Sequence, residues 1–379
     1  MSNNRTYSNK TNNLFYIVLL VFVLYILKPL IVPLLFAIIL SVAIFPLVVF
    51  LEKKLRFNRV FACLIAIGIL CICISILITF IGLQISDILS KSDIYIAKLE
   101  EIYFQLLHNI ELKFGLNRSQ LLNKNISFAD TFKENFTNIL GFLGTSGSII
   151  GDTLLIPLYL FFFIYYRKFF KTFIFKIFSN ENDFKIKILI NKLYHVQQDY
   201  LIGLSTVMFI VGILNSVSLL LLGIENPFFY GFLAAILLII PYIGIFIGSL
   251  IPALIALITK DSYIYSILVI ASFTFIQFLE GNFITPKITG SKLNINSLVA
   301  IVSIIAFSML WGTSGMIIAL PVVASLKIIF DAIPSLHPYG FILSEPQEQQ
   351  LSSTARMRLK KWKEIRKRKQ NISPIEINN

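Results

Sequence analysis

Long apolar runs constrain this sequence more than any other feature. The run from Val60 to Leu83 contains no charged residue, and about 20 apolar residues are enough for a helix to cross the hydrocarbon core of a bilayer. The chain of 379 residues is 56% hydrophobic and only 14% charged, which makes it more apolar than a soluble domain. The sequence therefore predicts an all-α integral membrane protein.

The apolar runs predict about eight transmembrane helices. Six are single runs, at 14–27 (only 14 residues), 28–51, 60–83, 149–166 (bent at Pro157), 201–222 and 263–281. Two further stretches, 228–258 and 296–330, are interrupted by Pro and Gly. Both are too long for one straight crossing of a core about 30 Å thick. Each must tilt, kink or fold back, so the sequence allows eight crossings or ten.

The polar segments complete the predicted division of the chain. The parts are a cytoplasmic amino terminus (1–13), the first three transmembrane helices (14–83), an extracytoplasmic amphipathic helical insert (84–144), the fourth transmembrane helix with a cytoplasmic surface helix (145–200), a transmembrane bundle with the broken helices (201–331) and a basic cytoplasmic tail (332–379). In the insert, apolar residues recur at helical spacing. This favours a helix that packs on its neighbours over a ligand-binding domain. The mixture of lysine and phenylalanine in 167–200 is typical of a helix on the inner membrane surface.

Positive charge indicates the cytoplasmic side of the membrane. The loop after the second predicted span contains Lys53, Lys54, Arg56 and Arg59, and residues 355–369 hold nine basic residues against one acid. Cytoplasmic loops are enriched in Lys and Arg, so both termini are predicted to be cytoplasmic. The net charge of +13 is then explained by topology and by binding of the tail to anionic lipid headgroups. RNA binding is a distant second, and no nucleic-acid partner is expected.

Motifs for nucleotide use and for enzymatic chemistry are missing from the sequence. It contains no G-x-x-x-x-G-K-[ST] phosphate loop, no G-x-S-x-G and no H-E-x-x-H. The three histidines are far apart and outside the predicted spans, so a hydrolytic metal centre has no ligand set. All three cysteines fall in one apolar run, where thiols behave as small hydrophobes. The sequence predicts a protein that is not an enzyme and needs no cofactor.

The stretch 277–327 places polar residues and helix breakers in sequence that is otherwise apolar enough to lie in lipid. Such residues are costly there and mark functional sites. The candidate residues of a substrate or ion pathway are Gln277, Glu280, Asn282, Pro286 and Lys287, together with Pro241, Gly244 and Gly248 in one helix break and Gly312, Gly315 and Pro321 in the other. Broken helices free backbone groups and direct half-helix dipoles at a cavity. The two breaks are therefore predicted to enclose the site between them.

Two of these assignments have structural alternatives. The spacing of Gly244 and Gly248 suits close helix packing as well as it suits a broken-helix site. Glu280 either exchanges a proton near neutral pH, with Lys287 as its partner, or lies paired or hydrated at the end of a span and only holds the connector that follows. The residues alone favour neither reading decisively.

Three motifs in the second half of the chain resemble the autoinducer-2 exporter family of bacterial integral membrane proteins. They are PYIGIFIGSLIPALIAL (241–257), QFLEGNFITPKITGSKLNINSL (277–298) and WGTSGMIIALPVVASLK (311–327), and DYLIG before the fifth span is also similar. The positions that carry the family pattern are Pro241, Gly244, Gly248, Pro252, Glu280, Pro286, Gly290, Gly312, Gly315 and Pro321. Ala253 departs from it, since many members have a second proline there.

The resemblance implies a permease of the bacterial inner membrane with about eight spans and an extramembrane helical insert after the third. It implies export of autoinducer-2, or of a similar small polar solute, without ATP. Some similar proteins are proposed as sodium(lithium)/proton antiporters, so the first alternative is an antiporter with Glu280 as ion or proton carrier. The second is a non-transporting membrane scaffold that binds partners through 84–115 and the basic tail. The sequence leaves open whether the protein forms a homo-oligomer.

Overall fold

The computed structural model describes residues 15–16, 18–114, 149–178, 183–240, 243–260, 262–288 and 295–345. Within these ranges the chain forms helices and no strands, which confirms the all-α class. The helices are α1 (Lys28–Lys53), α2 (Arg59–Ser90), α3 (Ser92–Phe114), α4 (Ile149–Tyr165), α5 (Arg167–Ile177), α6 (Asp183–Leu221), α7 (Pro227–Leu237), α8 (Ile243–Thr259), α9 (Ile264–Leu279), α10 (Ser297–Trp311), α11 (Thr313–Ala332) and α12 (His337–Leu343). A π-helical turn (Glu280–Ile284) and a last α-helical turn (Thr285–Ile288) extend α9.

Five of the described helices are long and apolar enough to cross a membrane. They are Lys28–Lys53, Arg59–Ser90, Asp183–Leu221, Ile264–Ile288 and Thr313–Ala332. Four shorter apolar helices are Leu155–Tyr165, Pro227–Leu237, Phe246–Thr259 and Ser297–Trp311. Large apolar side chains stay exposed along α2, including Ile72, Ile76, Ile78 and Leu83, as expected for a surface that faces lipid. The membrane class is confirmed, while eight crossings stay a prediction.

The first apolar run does not form the expected tight pair of spans. Helical residues 18–26 lead directly into α1, and the backbone hydrogen bonds Leu27 N to Val23 O and Ile31 N to Leu27 O, both 2.9 Å, continue through the junction. A chain that keeps these hydrogen bonds bends but does not reverse its direction. A cytoplasmic amino terminus requires 14–27 and 28–51 to cross the membrane separately, so its position relative to the membrane stays a prediction.

The insert helix packs against the bundle, as the sequence favoured. The helix break lies at Lys91, after α2 has run to Ser90, rather than at residue 84. Tyr95 and Leu99 of α3 are buried in one hydrophobic cluster with residues of α7, α8 and α9. Lys98 donates from Nζ to the carbonyl oxygen of Ile258 at 3.1 Å, where the end of α8 leaves carbonyl groups without helical partners. Residues 115–148, which include the rest of the predicted insert, lie outside the described residues.

The predicted surface helix over 167–200 is divided between two elements. Only α5 is a separate helix, and it has no buried residue. Arg167 at its start donates from Nη2 to Glu52 Oε2 at the end of α1, at 2.5 Å. Residues 183–200 instead begin α6, which continues as the predicted fifth span over 39 residues in all. A helix of that length is about 58 Å long, so α6 extends beyond the hydrocarbon core.

Both over-long apolar stretches fold back as helical hairpins. In the first, α7 and α8 pack closely because Gly244 and Gly248 have no side chain: a Cβ on Gly244 would lie 2.1 Å from the Leu237 carbonyl oxygen. In the second, α10 and α11 are joined at Gly312, whose φ of +70° favours glycine. A Cβ on Gly315 would lie 2.0 Å from the carbonyl oxygen of Phe307. Of the two readings for Gly244 and Gly248, the structure supports close packing.

Helix α6 holds the two hairpins in place. The α7–α8 hairpin packs on α6 and α9, whereas the α10–α11 hairpin packs on α6, α1 and α12. The first belongs to a hydrophobic cluster that includes Leu233, Ile255 and Phe273. The second contributes Trp311 and Ile318 to a different cluster. The hairpins therefore lie against different parts of the bundle.

Adding one methyl group at Gly244 tests the hairpin packing. Gly244→Ala would place Cβ against backbone that cannot move freely, so we expect it to lower the free energy of unfolding by about 1–3 kcal/mol. Gly281→Ala is the matched control, because nothing lies within 4 Å of its added Cβ. Thermal unfolding in detergent measures both. Equal stability of Gly244→Ala and the unmodified protein would show that the hairpin is packed differently.

Candidate functional site

Glu280 lies at the start of the π-helical turn, inside the helix that runs from Ile264 to Ile288. The Thr285 backbone N–H donates to the Glu280 carbonyl oxygen, which is the wider spacing of a π-helix. Pro286 lacks an N–H, so it cannot donate to Asn282 as an α-helix would require. The predicted connector after residue 281 is thus helical up to Ile288. Single π-turns of this kind are frequent at functional sites.

The half-buried Glu280 carboxylate accepts hydrogen bonds from two side chains of its own helix. Gln277 donates from Nε2 to Glu280 Oε2 at 2.5 Å. Thr285 donates from Oγ1 to Glu280 Oε1. No ion pair among the described residues joins Glu280 to Lys287, which is exposed, so the partner expected from the sequence is not engaged. Neutral donors, rather than a lysine, hold the carboxylate in place.

The other predicted residues of this segment lie on its exposed side. Asn282 donates from Nδ2 to the carbonyl oxygen of Phe278 at 2.9 Å and is exposed. Pro286 is also exposed, and its effect is on the backbone of the π-turn. The structure therefore separates Gln277 and Glu280, with Thr285, from Asn282 and Lys287. Pro241 and Gly290 lie outside the described residues.

A small internal cavity lies beside this network. It is lined by Val211 and Asn215 of α6, Ala234 of α7, Leu238, Gly244 of α8, and Phe273, Ile276 and Gln277 of α9. Asn215 is only 4% exposed, and its Oδ1 has no hydrogen-bond partner. Asn215 is not among the candidate residues predicted from the sequence, although an amide within an apolar run is the signal that could have identified it. The cavity thus brings a second buried amide close to Gln277.

Side chains around the second helix break hold α11 in place. Pro321 is buried inside α11, and Gln197 of α6 donates from Nε2 to its carbonyl oxygen and to Ser325 Oγ, both at 2.6 Å. The buried Lys327 pairs with Asp331 at 2.9 Å. Sequence reasoning missed both Gln197 and Lys327. Their contacts tie α11 to α6 and to its own last turn.

Only one of the two breaks contributes to the cavity beside Gln277. The cavity beside Gln277 is lined by residues of α6 to α9 and by none from the α10–α11 hairpin. Gly312, Gly315 and Pro321 belong to the second hairpin and line no part of this cavity. That both breaks surround one site stays a prediction. Among those residues there is also no group of three or more His, Cys, Asp or Glu side chains placed to hold a metal ion.

The fold defines a class of protein. A helical bundle with five candidate spans among the described residues and two hairpins of apolar helices is a multi-spanning membrane protein. The chain belongs to the AI-2E family of transporters, whose family model matches residues 14–335.

Relatives of known name agree with this family. YrrI of Bacillus subtilis (strain 168) is 36% identical over 132 residues, which cover 35% of this chain and 36% of YrrI. YueF of the same organism is 27% identical over 308 residues, 79% of this chain and 82% of YueF. The names of both proteins describe them, provisionally, as transport proteins. The AI-2 transport protein TqsA of Escherichia coli (strain K12) is 27% identical over 146 residues, 38% of this chain and 42% of TqsA.

The contact between α6 and Pro321 gives a direct test of how the second hairpin is held. Gln197→Ala removes a buried side chain and two hydrogen bonds, so we expect it to lower the free energy of unfolding by about 2 kcal/mol. Gln198→Ala is the control, since that neighbouring side chain is only half-buried. Denaturant titration in detergent measures the difference. A loss no larger than that of Gln198→Ala would contradict the assigned contact.

Proposed function

We propose that the protein is a gradient-driven or passive transporter of a small polar solute, resembling autoinducer-2, in the bacterial inner membrane. Membership of the AI-2E family supports transport, and the name of TqsA supports the substrate class. One observation supports the proposed site: the Glu280 carboxylate accepts hydrogen bonds from Gln277 and Thr285 at a π-turn within a candidate span. The antiporter and scaffold hypotheses gain no specific support from the described residues.

The proposed pathway runs between α6, α9 and the α7–α8 hairpin. Gln277 lies there among mostly apolar side chains and donates to the charged Glu280 carboxylate, so the two residues offer hydrogen-bonding groups and charge. A small polar solute that leaves water needs such groups to replace its hydration. Asn282 and Lys287 take no central part in this proposal, because they lie on the exposed side of the segment.

Helix α5 is the proposed contact with anionic lipid on the cytoplasmic side. Basic residues (Arg167, Lys168, Lys171, Lys176) alternate along it with the exposed apolar residues Phe169, Phe173 and Ile177. A helix that presents both kinds of side chain and buries none lies well at the boundary between headgroups and acyl chains. The basic residues 355–369 are proposed to do the same, although they lie outside the described residues, and both termini are proposed to be cytoplasmic.

Replacing Glu280 by Gln tests the proposed function. The amide keeps the size of the side chain and removes its charge, so we expect flux of labelled autoinducer-2 into proteoliposomes to fall by at least about tenfold, with membrane insertion unchanged. Glu225→Gln is the control, since Glu225 is an exposed carboxylate in the turn before α7. Flux is measured with and without an imposed proton or sodium gradient.

The outcomes separate the hypotheses. Unchanged flux and unchanged pH dependence in Glu280→Gln would remove Glu280 from the pathway. Counterflow of sodium or protons without flux of autoinducer-2 would favour the antiporter. No flux of any solute through the unmodified protein would favour the scaffold.

A further inference from the structure

Asn215 lines the cavity beside Gln277, and its side-chain oxygen is buried without a partner. Asn215 is 4% exposed, and its Oδ1 accepts no hydrogen bond from any group of the protein. A buried amide oxygen left in this condition destabilises the folded protein. Proteins retain such a group when another molecule supplies the missing hydrogen bond.

The hydrogen bond of Gln277 to Glu280 limits which of its amide groups can serve the cavity. Its Nε2 donates to Glu280 Oε2 at 2.5 Å, so the NH2 group of the amide faces the carboxylate. The amide oxygen, Oε1, can only accept hydrogen bonds. The remaining lining residues are Val211, Ala234, Leu238, Gly244, Phe273 and Ile276, whose side chains offer no donor. The amides of Asn215 and Gln277 therefore bring two acceptor oxygens to the cavity lining, beside their own N–H groups, and Asn215 Oδ1 is the buried acceptor that no protein group satisfies.

One molecule of water satisfies this arrangement. The centre of a water-sized sphere can move within a volume of about 10 Å³ in this cavity. That volume is close to the minimum of about 10–15 Å³ that one water molecule needs. Water carries two O–H donors, one for each acceptor. We propose that a single water molecule binds here, donates to Asn215 Oδ1 and to Gln277 Oε1, and makes Asn215 a positioning residue for the Glu280 network.

The bound water connects three elements. It joins α6 at Asn215 to α9 at Gln277, and the α7–α8 hairpin closes over it at Leu238 and Gly244. Because Gln277 is held from both sides, its amide keeps the orientation that donates to Glu280. The water site does not depend on transport being the function, since it follows from the hydrogen-bonding groups alone.

A double-mutant cycle tests the bridge through stability. Asn215→Leu and Gln277→Leu are made singly and together, and the unfolding equilibrium constant is measured by denaturant titration in detergent. A water shared by the two amides predicts that the double variant is destabilised less than the product of the single effects, by about threefold or more. The control cycle pairs Asn215→Leu with Thr274→Val, an exposed position on α9 that does not line the cavity. There the double variant should change the unfolding equilibrium constant by the product of the two single effects.

Three results would overturn the proposal. They are a multiplicative cycle for Asn215 and Gln277, a single variant Asn215→Leu that is more stable than the unmodified protein, and stabilisation by sodium over choline that Asn215→Leu abolishes, which would assign the cavity to a cation. If the variants fail to fold, a high-resolution structure of the unmodified protein decides the matter. Density for one water within hydrogen-bond distance of both amide oxygens supports the proposal, and a cavity without density contradicts it.

Discussion

The absence of water in the bilayer core is the constraint on which this structure depends. A backbone carbonyl or N–H that loses its helical partner there must find another within the protein. At bends, proline positions and helix ends, this chain supplies side-chain donors from distant segments. The pairs are Trp311 Nε1 with Leu24 O (3.0 Å), Gln197 Nε2 with Pro321 O (2.6 Å) and Lys98 Nζ with Ile258 O (3.1 Å).

The same constraint explains the form of the Glu280 site. The helix continues through Glu280 by changing to π-helical spacing, which keeps the backbone bonded while the turn widens. The carboxylate is satisfied by Gln277 and Thr285 from its own helix. A polar site in lipid is in this way assembled from one helix and then completed by packing against α6 and the α7–α8 hairpin.

Apolar length and helix breakers predict much of this fold. The runs of hydrophobic residues identify the membrane class. The two longest runs are too long for one straight crossing, and the Pro and Gly residues within them indicate where each run breaks. The glycines themselves follow from contact: Gly244 and Gly315 approach carbonyl groups of the facing helix more closely than any Cβ allows.

Other features could not be predicted, because they depend on the folded contacts. Charge patterning separates 167–200 from the fifth span, yet α6 joins residues 183–200 to that span because a helix does not stop where polarity changes. A reversal at Leu27 looked reasonable beside Pro29, but the helical hydrogen bonds continue through it. Gln197 looks ordinary in the sequence, since only tertiary packing buries it and determines its partners.

The central claim is that Glu280 and the groups that donate to it form the transport site. The most direct measurement compares flux of labelled autoinducer-2 through Thr285→Val and Thr274→Val at equal insertion and stability. Each variant removes one hydroxyl from the same helical segment, but only Thr285 donates to Glu280, whereas Thr274 donates to the Ile270 carbonyl oxygen. The account predicts that Thr285→Val lowers flux by about tenfold or more, as loss of a hydrogen bond to a charged group would, while Thr274→Val transports normally. Equal flux through the two variants would contradict it.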